Sequence, residues 1–247
     1  MSVLAARNLR RAFGALAVTQ DVSLDLNAGE VHALIGPNGA GKSSLLAQLA
    51  GTLAPQAGRV LLDDVDVTHL PPHVRARRGL ARTFQVSALI GRLTALQNAA
   101  LAVQARGRRP LSILRRPDGD LALETPAREA LAAVGLGERA DIPAEELSYG
   151  ERRALEIACA LAQRPRCLLL DEPLAGMGHD EGVRIVTLLA DLKGRIPMLM
   201  VEHDMDAVFM LADRVSVLVQ GRILASGRPA SVRADPAVRA AYLGEEA

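Results

Sequence analysis

The chain has no tryptophan, and two tyrosines and three phenylalanines bring its aromatics to only 2% of 247 residues. A core must therefore be filled by Leu, Val, Ile and Ala, which a hydrophobic content of 49% supplies. A chain this apolar is not disordered as a whole. Cysteine is nearly as scarce. Cys159 lies in a stretch with helical spacing and Cys167 in an apolar run, and neither stands at metal-ligand spacing from a histidine. This excludes a disulfide scaffold and fits reduced thiols in a cytoplasmic protein. With 29 basic and 28 acidic residues the formal charge is +1, far from the strongly basic surface of a dedicated nucleic-acid binder. No stretch reaches the about 18 continuous apolar residues of a membrane span, and the N-terminus lacks the apolar core of a signal peptide. The chain is expected to be soluble by itself, with any membrane attachment made through a partner. It has no internal repeat and no low-complexity segment. Its length suits one α/β unit with a smaller lobe attached.

What is present is organised around Gly36, Pro37, Asn38, Gly39, Ala40, Gly41, Lys42 and Ser43. The octet fits the phosphate-loop pattern at every fixed position. Val31–Ile35 ahead of it reads as a buried strand, and from Ser44 the spacing becomes helical. Glycines let the backbone turn its N–H groups inward as a nest for phosphate oxygens, and the helix start adds partial positive charge. Lys42 would reach the β and γ phosphates, and Ser43 would offer its hydroxyl to Mg²⁺.

Residues 2 to 30 alternate apolar and polar, which predicts antiparallel strands with one face covered. Phe13, followed by Gly14, is either a core ring at a strand end or a ring that stacks on a base, and its own context leaves both open. Gly58–Leu62 reads as a strand, and Pro71–Arg78 as a short helix whose Arg75, Arg77 and Arg78 form a solvated or interface face. A strand from Ala81 ends at Gln85. Helical periodicity covers 94 to 105, 127 to 135 and 149 to 163. Between the first two, Arg106 to Pro126 holds five arginines and three prolines and reads as an exposed loop or insertion. Residues 86 to 160 thus form a mostly helical second lobe between β-rich segments 1 to 85 and 161 to 247. Arg166–Leu170 is an apolar run that delivers Asp171 and Glu172 at a strand's C-terminal end, where open α/β sheets place their ligands. A helix at 179 to 193, a strand at 197 to 201 ending in Glu202-His203-Asp204, a helix at 204 to 212, a hairpin at 215 to 225 and two short helices complete the chain.

Asp171 adds a Mg²⁺ partner to the phosphate loop, and Glu172 adds a candidate base for an attacking water. Leu147-Ser148-Tyr149-Gly150-Glu151-Arg152-Arg153 then resembles the signature motif of ATP-binding cassette (ABC) ATPases. Phosphate loop, Gln85, signature, Asp171-Glu172 and His203 follow in that family's order, so the resemblance spans nearly the whole chain. It implies a single ABC ATPase domain, 1 to 247: a P-loop NTPase core with a mixed, mainly parallel sheet flanked by helices, an antiparallel β subdomain and a helical signature-motif subdomain. It implies ATP and Mg²⁺ as cofactors. By resemblance, Phe13 stacks on adenine, while Gly36 to Ser43 and Ser44 hold the phosphates. Gln85 touches Mg²⁺ and the attacking water and links the helical lobe to a membrane partner. Ser148, Tyr149, Gly150 and Glu151 close on ATP held by the opposite protomer, Glu172 is the catalytic base, and His203 contacts the γ-phosphate. His32, His69, His73 and His179 match nothing comparable and are expected to be structural or exposed.

Two stretches depart from the family's pattern. The signature has Tyr149 and Glu151 where Gly and Gln are usual, and Gly178 stands where most relatives have Asp, with Asp180 nearby. Gly79–Gln85, the Leu-Ser-Tyr-Gly signature, Ala175–Met177, Glu202–Asp206 and the tail Asp235–Gly244 most resemble the ATP-binding subunits of branched-chain (hydrophobic) amino-acid importers. Urea or amide importers and the ATPase of the lipopolysaccharide exporter share parts of this set. The expectation is a peripheral ATPase on the cytoplasmic face of the inner membrane. Its partners are transmembrane permease subunits, a second ATP-binding subunit and, indirectly, a periplasmic solute-binding protein, with no nucleic acid. A soluble ABC protein that uses nucleotide as a switch, and a regulatory subunit with poor hydrolysis, are the rival readings.

Overall fold

Two sheets divide the labour in the structure, a computed structural model that describes residues 1–83, 89–106 and 120–243. The first sheet is antiparallel, in the order β2 (Leu16–Asn27), β1 (Ser2–Phe13), β4 (Ala57–Leu62), β5 (Val65–Asp66). The second has the order β10 (Arg222–Gly227), β9 (Arg214–Val219), β3 (Val31–Ile35), β8 (Met198–Val201), β7 (Cys167–Asp171), β6 (Leu80–Arg82). All its pairs are parallel except β9 with β10. This is the expected mixed, mainly parallel sheet with an antiparallel partner.

Every residue of β3, β7 and β8 is buried, because both faces of that sheet are covered. On one face Leu34, Leu169 and Leu199 pack with Leu45, Leu46 and Leu49 of α1 (Lys42–Ala50) and with the antiparallel sheet. On the other, Ala33, Leu168 and Met200 join a core that runs without a break into the helices α3 (Ala95–Arg106), α4 (Leu121–Ala133) and α5 (Tyr149–Ala162). Small residues let those helices approach closely: Ala99, Ala127 and Ala158 are wholly buried among them. The chain continues with α6 (His179–Leu192), α7 (Met205–Leu211), α8 (Pro229–Ala234) and α9 (Pro236–Leu243). Among the described residues no helix is long and apolar enough to cross a membrane.

Two expectations need correction. Arg75 does not share the exposed face of Arg77 and Arg78 on α2 (Pro72–Arg77); it is 1% exposed. Its guanidinium donates to the carbonyls of Gln48 (2.8 Å) and Leu49 (2.6 Å) at the end of α1, and to those of Thr68 (2.7 Å) and Leu70 (3.0 Å). A cation at a helix C-terminus meets carbonyls that have no partner within the helix, which gives the charge a reason to be inside. Burial pushes its pKa down to about 10, so it stays charged at neutral pH. The loop expected from Arg106 to Pro126 is also too long at both ends. Arg106 closes α3, and Leu121 to Pro126 open α4, where Asp120 caps the helix by accepting from the Ala122 N–H at 3.1 Å. Pro126 sits inside the helix because burial of Ala127, Ala130 and Leu131 on one face outweighs the lost backbone donor. Arg108, Arg109, Arg115 and Arg116 lie outside the described residues.

His32 is the buried histidine; His69, His73 and His179 are exposed. Its Nδ1 lies 2.8 Å from the Asp25 carbonyl and its Nε2 2.8 Å from Ser216 Oγ, so it ties the two sheets together. Burial, with the Arg214 charge second, lowers its pKa from 6.5 to about 4. Both cysteine thiols are pushed up to about 12 by burial.

Arg75→Met should cost about 3 kcal/mol or more in urea unfolding, since it strands carbonyls bonded to a charged donor. Arg75→Lys should not restore the loss, because one ammonium cannot span the four acceptors. Between pH 6.5 and 4 the unfolded imidazole of His32 takes up a proton that the folded one refuses. Stability must therefore fall as pH drops through that window, by up to roughly 3 kcal/mol. His32→Gln should flatten that part of the stability-pH curve.

Candidate functional site

Parallel register brings the expected residues together. Leu34 of β3 pairs with Val201 of β8, and Val201 pairs with Asp171 of β7. The phosphate loop, the Asp171-Glu172 pair and the Glu202-His203 pair therefore leave the sheet along one edge.

In the loop, Gly36 (φ 151°) and Gly41 (φ 103°) are required both by conformation and by space. A Cβ on Gly36 would lie 2.0 Å from the Leu218 carbonyl oxygen, and one on Gly41 would lie 2.1 Å from that of Val18. Gly39 (φ 76°) has open space around it. Pro37, Asn38 and Ala40 complete the turn, with the Gly221 N–H donating to the Ala40 carbonyl at 2.9 Å. The backbone N–H groups of Gly39, Gly41, Ser43 and Ser44 meet no acceptor among the described residues, at the head of α1 where helix donors are free. Lys42 is buried, and its ammonium donates to the carbonyls of Gly36 and Pro37. Ser43 is exposed.

Asp171 is 1% exposed. Its Oδ2 accepts from Arg82 at 2.8 Å, while its Oδ1 is buried without a partner among the described residues. Glu172 has φ 48°, a strained conformation for a residue with a Cβ. Arg153 of α5 holds that backbone: Nη2 donates to the Asp171 and Glu172 carbonyls at 2.8 Å each, and Nε to the Pro173 carbonyl at 3.2 Å. The Glu172 carboxylate meets His203 Nε2 at 2.9 Å. Behind them, Glu202 is 2% exposed and accepts from the N–H groups of Leu174 (2.8 Å) and His203 (2.9 Å), joining the two strand-end loops. Arg82, Arg153 and Glu202 were not singled out by motif reading. Each lies inside a stretch that carries the family resemblance, but none was given a role of its own there.

Ser148 is the N-cap of α5 and forms a capping box with Glu151, a role that Glu and Gln fill alike. Glu151 also pairs with Arg139 at 3.1 Å, and hydrogen bonding to the Ser148 backbone first, then the Arg139 charge, holds its carboxyl below the usual range. Tyr149 reaches across to the Ala175 carbonyl at 2.9 Å, in the loop after Glu172. The Gly150 N–H donates to Glu181 of α6 at 3.1 Å. Asp180, beside it in the first turn of α6, is exposed. Among the described residues no hydrogen bond or ion pair joins Ser148–Glu151 to the phosphate loop. Phe13 is 50% exposed with the Arg11 guanidinium 4.9 Å from its ring centre, which removes the core alternative. Gln85 lies outside the described residues.

Comparison with known proteins agrees with this layout. The ABC transporter family matches residues 19–175, and the branched-chain amino acid ATP-binding cassette transporter family matches residues 222–247. The chain is 37% identical over 250 residues to the high-affinity branched-chain amino acid transport ATP-binding protein LivG of Escherichia coli (strain K12), covering 98% of each. It is 34% identical over 247 residues to the lipopolysaccharide export system ATP-binding protein LptB of the same strain, covering 100% of this chain and 99% of that protein. Among solved structures, the ADP conformation of an ATP-binding cassette of an ABC transporter superposes with a TM-score of 0.89 at 32% identity, covering 99% of both chains. A dimeric bacterial ABC transporter cassette superposes at 0.76 and 25% identity, covering 92% of this chain and 98% of that one.

The glycine geometry separates two substitutions. Gly39→Ala should cost about 1–2 kcal/mol from its positive φ alone. Gly41→Ala, which also drives a methyl into the Val18 carbonyl, should cost about 3 kcal/mol or more and lose nucleotide binding; thermal unfolding with and without ATP measures both.

Proposed function

The chain belongs to the ABC transporter family of ATP-binding subunits, and from that membership we propose that it drives the import of branched-chain or other hydrophobic amino acids. Support for the solute comes from the match of residues 222–247 and from the similarity to LivG over the whole chain. The similarity to LptB favours a second reading, an ATPase for lipopolysaccharide export.

The observation that carries the mechanism is the shared sheet edge, which sets the phosphate loop beside Asp171, Glu172 and His203. We assign the backbone donors of Gly36 to Ser44 and the Lys42 ammonium to the ATP phosphates, and the exposed ring of Phe13 to adenine. Oxygen donors suit Mg²⁺, and the buried, unpartnered Oδ1 of Asp171 fits a site completed by the Ser43 hydroxyl and Gln85. When bound, the ion neutralises charge developing on the transferred phosphoryl group. Glu172, held at φ 48° by Arg153, orients and deprotonates the attacking water, and His203 fixes that carboxylate and senses the γ-phosphate. Ser148 to Glu151 of a second subunit cap the same phosphate through the start of α5. The pair is formed with another copy or a paralogue and works with permease subunits fed by a solute-binding protein, at the cytoplasmic face of the inner membrane. Residues 1–247 act as one domain whose helical part, 86 to 160, carries the signature. A permease helix docks in the groove of about 280 Å³ lined by Leu89, Ile90, Leu101, Ala102, Cys159 and Ala160.

Glu172→Gln should lower steady-state ATP hydrolysis by at least about 100-fold while ATP-bound pairs persist in gel filtration. A variant that still turns over at the wild-type rate would remove Glu172 from the role of base.

A further inference from the structure

At the far ends of β6 and β7 from Arg82 and Asp171 lies a second cavity, of about 390 Å³, whose walls carry Arg77, Arg78, Arg106, Arg164 and Arg166. Asp63 is its one lining carboxylate among the described residues, and it pairs with Arg166. Arg164 has a distant partner in Glu129 at 3.9 Å. The side chains of Arg77, Arg78 and Arg106 make no ion pair or hydrogen bond among the described residues, and all three are exposed. All but two of the 29 Lys and Arg residues of the chain are arginine, so residue type says nothing here; what matters is the clustering. On a chain of net charge +1, several guanidiniums around one depression with one acid among them make a local positive potential that calls for an anionic partner.

The position of the cleft points to what that partner is. Three of its walls continue those of the apolar groove. On α3, Ala102 lines the groove and Arg106, one turn or about 6 Å further along, lines the cleft. At the end of α5, Gln163 faces the groove and Arg164 the cleft; Arg82, which ends β6, lines the first, and Gly79, just before β6, lines the second. Its charged groups and its buried amide are already engaged: Glu156 pairs with Arg153, Arg82 with Asp171, and Asn98 with the backbone of Ile90, Leu93 and Thr94, while the Thr83 hydroxyl is buried without a partner among the described residues. The groove therefore offers apolar contact, and the cleft beside it offers charge.

We propose that groove and cleft form one two-part docking surface, in which the permease element seated in the groove is flanked by an acidic segment whose Asp or Glu side chains enter the arginine cleft. The inference rests on the proposed docking of a permease in the groove and adds to it the charge of the partner. The apolar half sets the contact, and the charged half sets the rate and the choice of partner, since potential across a rim acts mainly on association.

The test compares wild type with the triple variant Arg77→Glu, Arg78→Glu, Arg106→Glu, all surface changes, on the full subunit. Melting temperature and ATP affinity of the isolated subunit should be unchanged. Binding to the permease subunits in nanodiscs at 0.15 M salt should weaken by about tenfold or more, mainly through slower association, and the salt dependence of the wild type should be lost. Asp or Glu to Lys changes in one cytoplasmic segment of the permease should restore it. Equal permease binding by variant and wild type overturns the proposal while leaving the transport reading intact. So does unchanged permease binding in a variant that has lost binding of inorganic pyrophosphate, which would make the cleft a site for a free anion. Failure of the wild type to bind a permease at all would remove the transport reading and this inference together.

Discussion

One constraint governs the rest: β3, β8 and β7 run parallel, in register and buried on both faces. A strand covered on both sides cannot slide or tilt without opening a core, so the points at which the three leave the sheet are fixed relative to one another. The phosphate loop and the carboxylates arise at those points. Their mutual placement is set mainly by the packing of Leu, Val, Ile, Met and Ala on both faces of those strands.

Placement of chain ends does not orient side chains, and a second set of contacts does that. Arg153 clamps three successive carbonyls and so sustains the unfavourable φ of Glu172. Glu202, buried, gathers N–H groups from the loops on either side of it, and Arg82 takes one oxygen of Asp171 and leaves the other unengaged. Each of these is a charged group inside the protein whose bonds are directed at backbone or at one named oxygen. Each would be costly to leave half paired, and that cost is what makes the geometry definite. Arg153 belongs to the signature helix and Arg82 to the strand before Gln85, so both neighbouring elements are bonded to the acidic strand end.

Much of this was legible in the sequence, for physical reasons. An octet with fixed glycines between an apolar run and helical spacing has few structural solutions, and an apolar run that stops at two carboxylates marks where a buried strand reaches solvent. Alternation over residues 2 to 30 and the closing hairpin were equally direct. Arg75 was not legible, because an arginine on a short helix has the same letter whether it faces water or the unpaired carbonyls of another helix; the difference lies in what tertiary packing sets opposite it. Pro126 misled in the opposite sense, since burial of one helix face overrode a local breaker. Phe13 was undecided until its exposure was known. Arg153 and Glu202 were hidden because their partners are main-chain atoms, which leave no trace in a motif.

The contact between Glu181 and the Gly150 N–H has a further consequence. In the single chain a carboxylate already occupies a backbone donor at the start of α5; on the proposal that this helix start caps a second subunit's nucleotide, the signature would reach it only by exchanging one anion for another. In a two-fold assembly that exchange would occur at both ends. Whatever fraction of subunits has its carboxylate released then enters the dimerisation constant squared, and a modest change at this one hydrogen bond makes pairing a steep function of it.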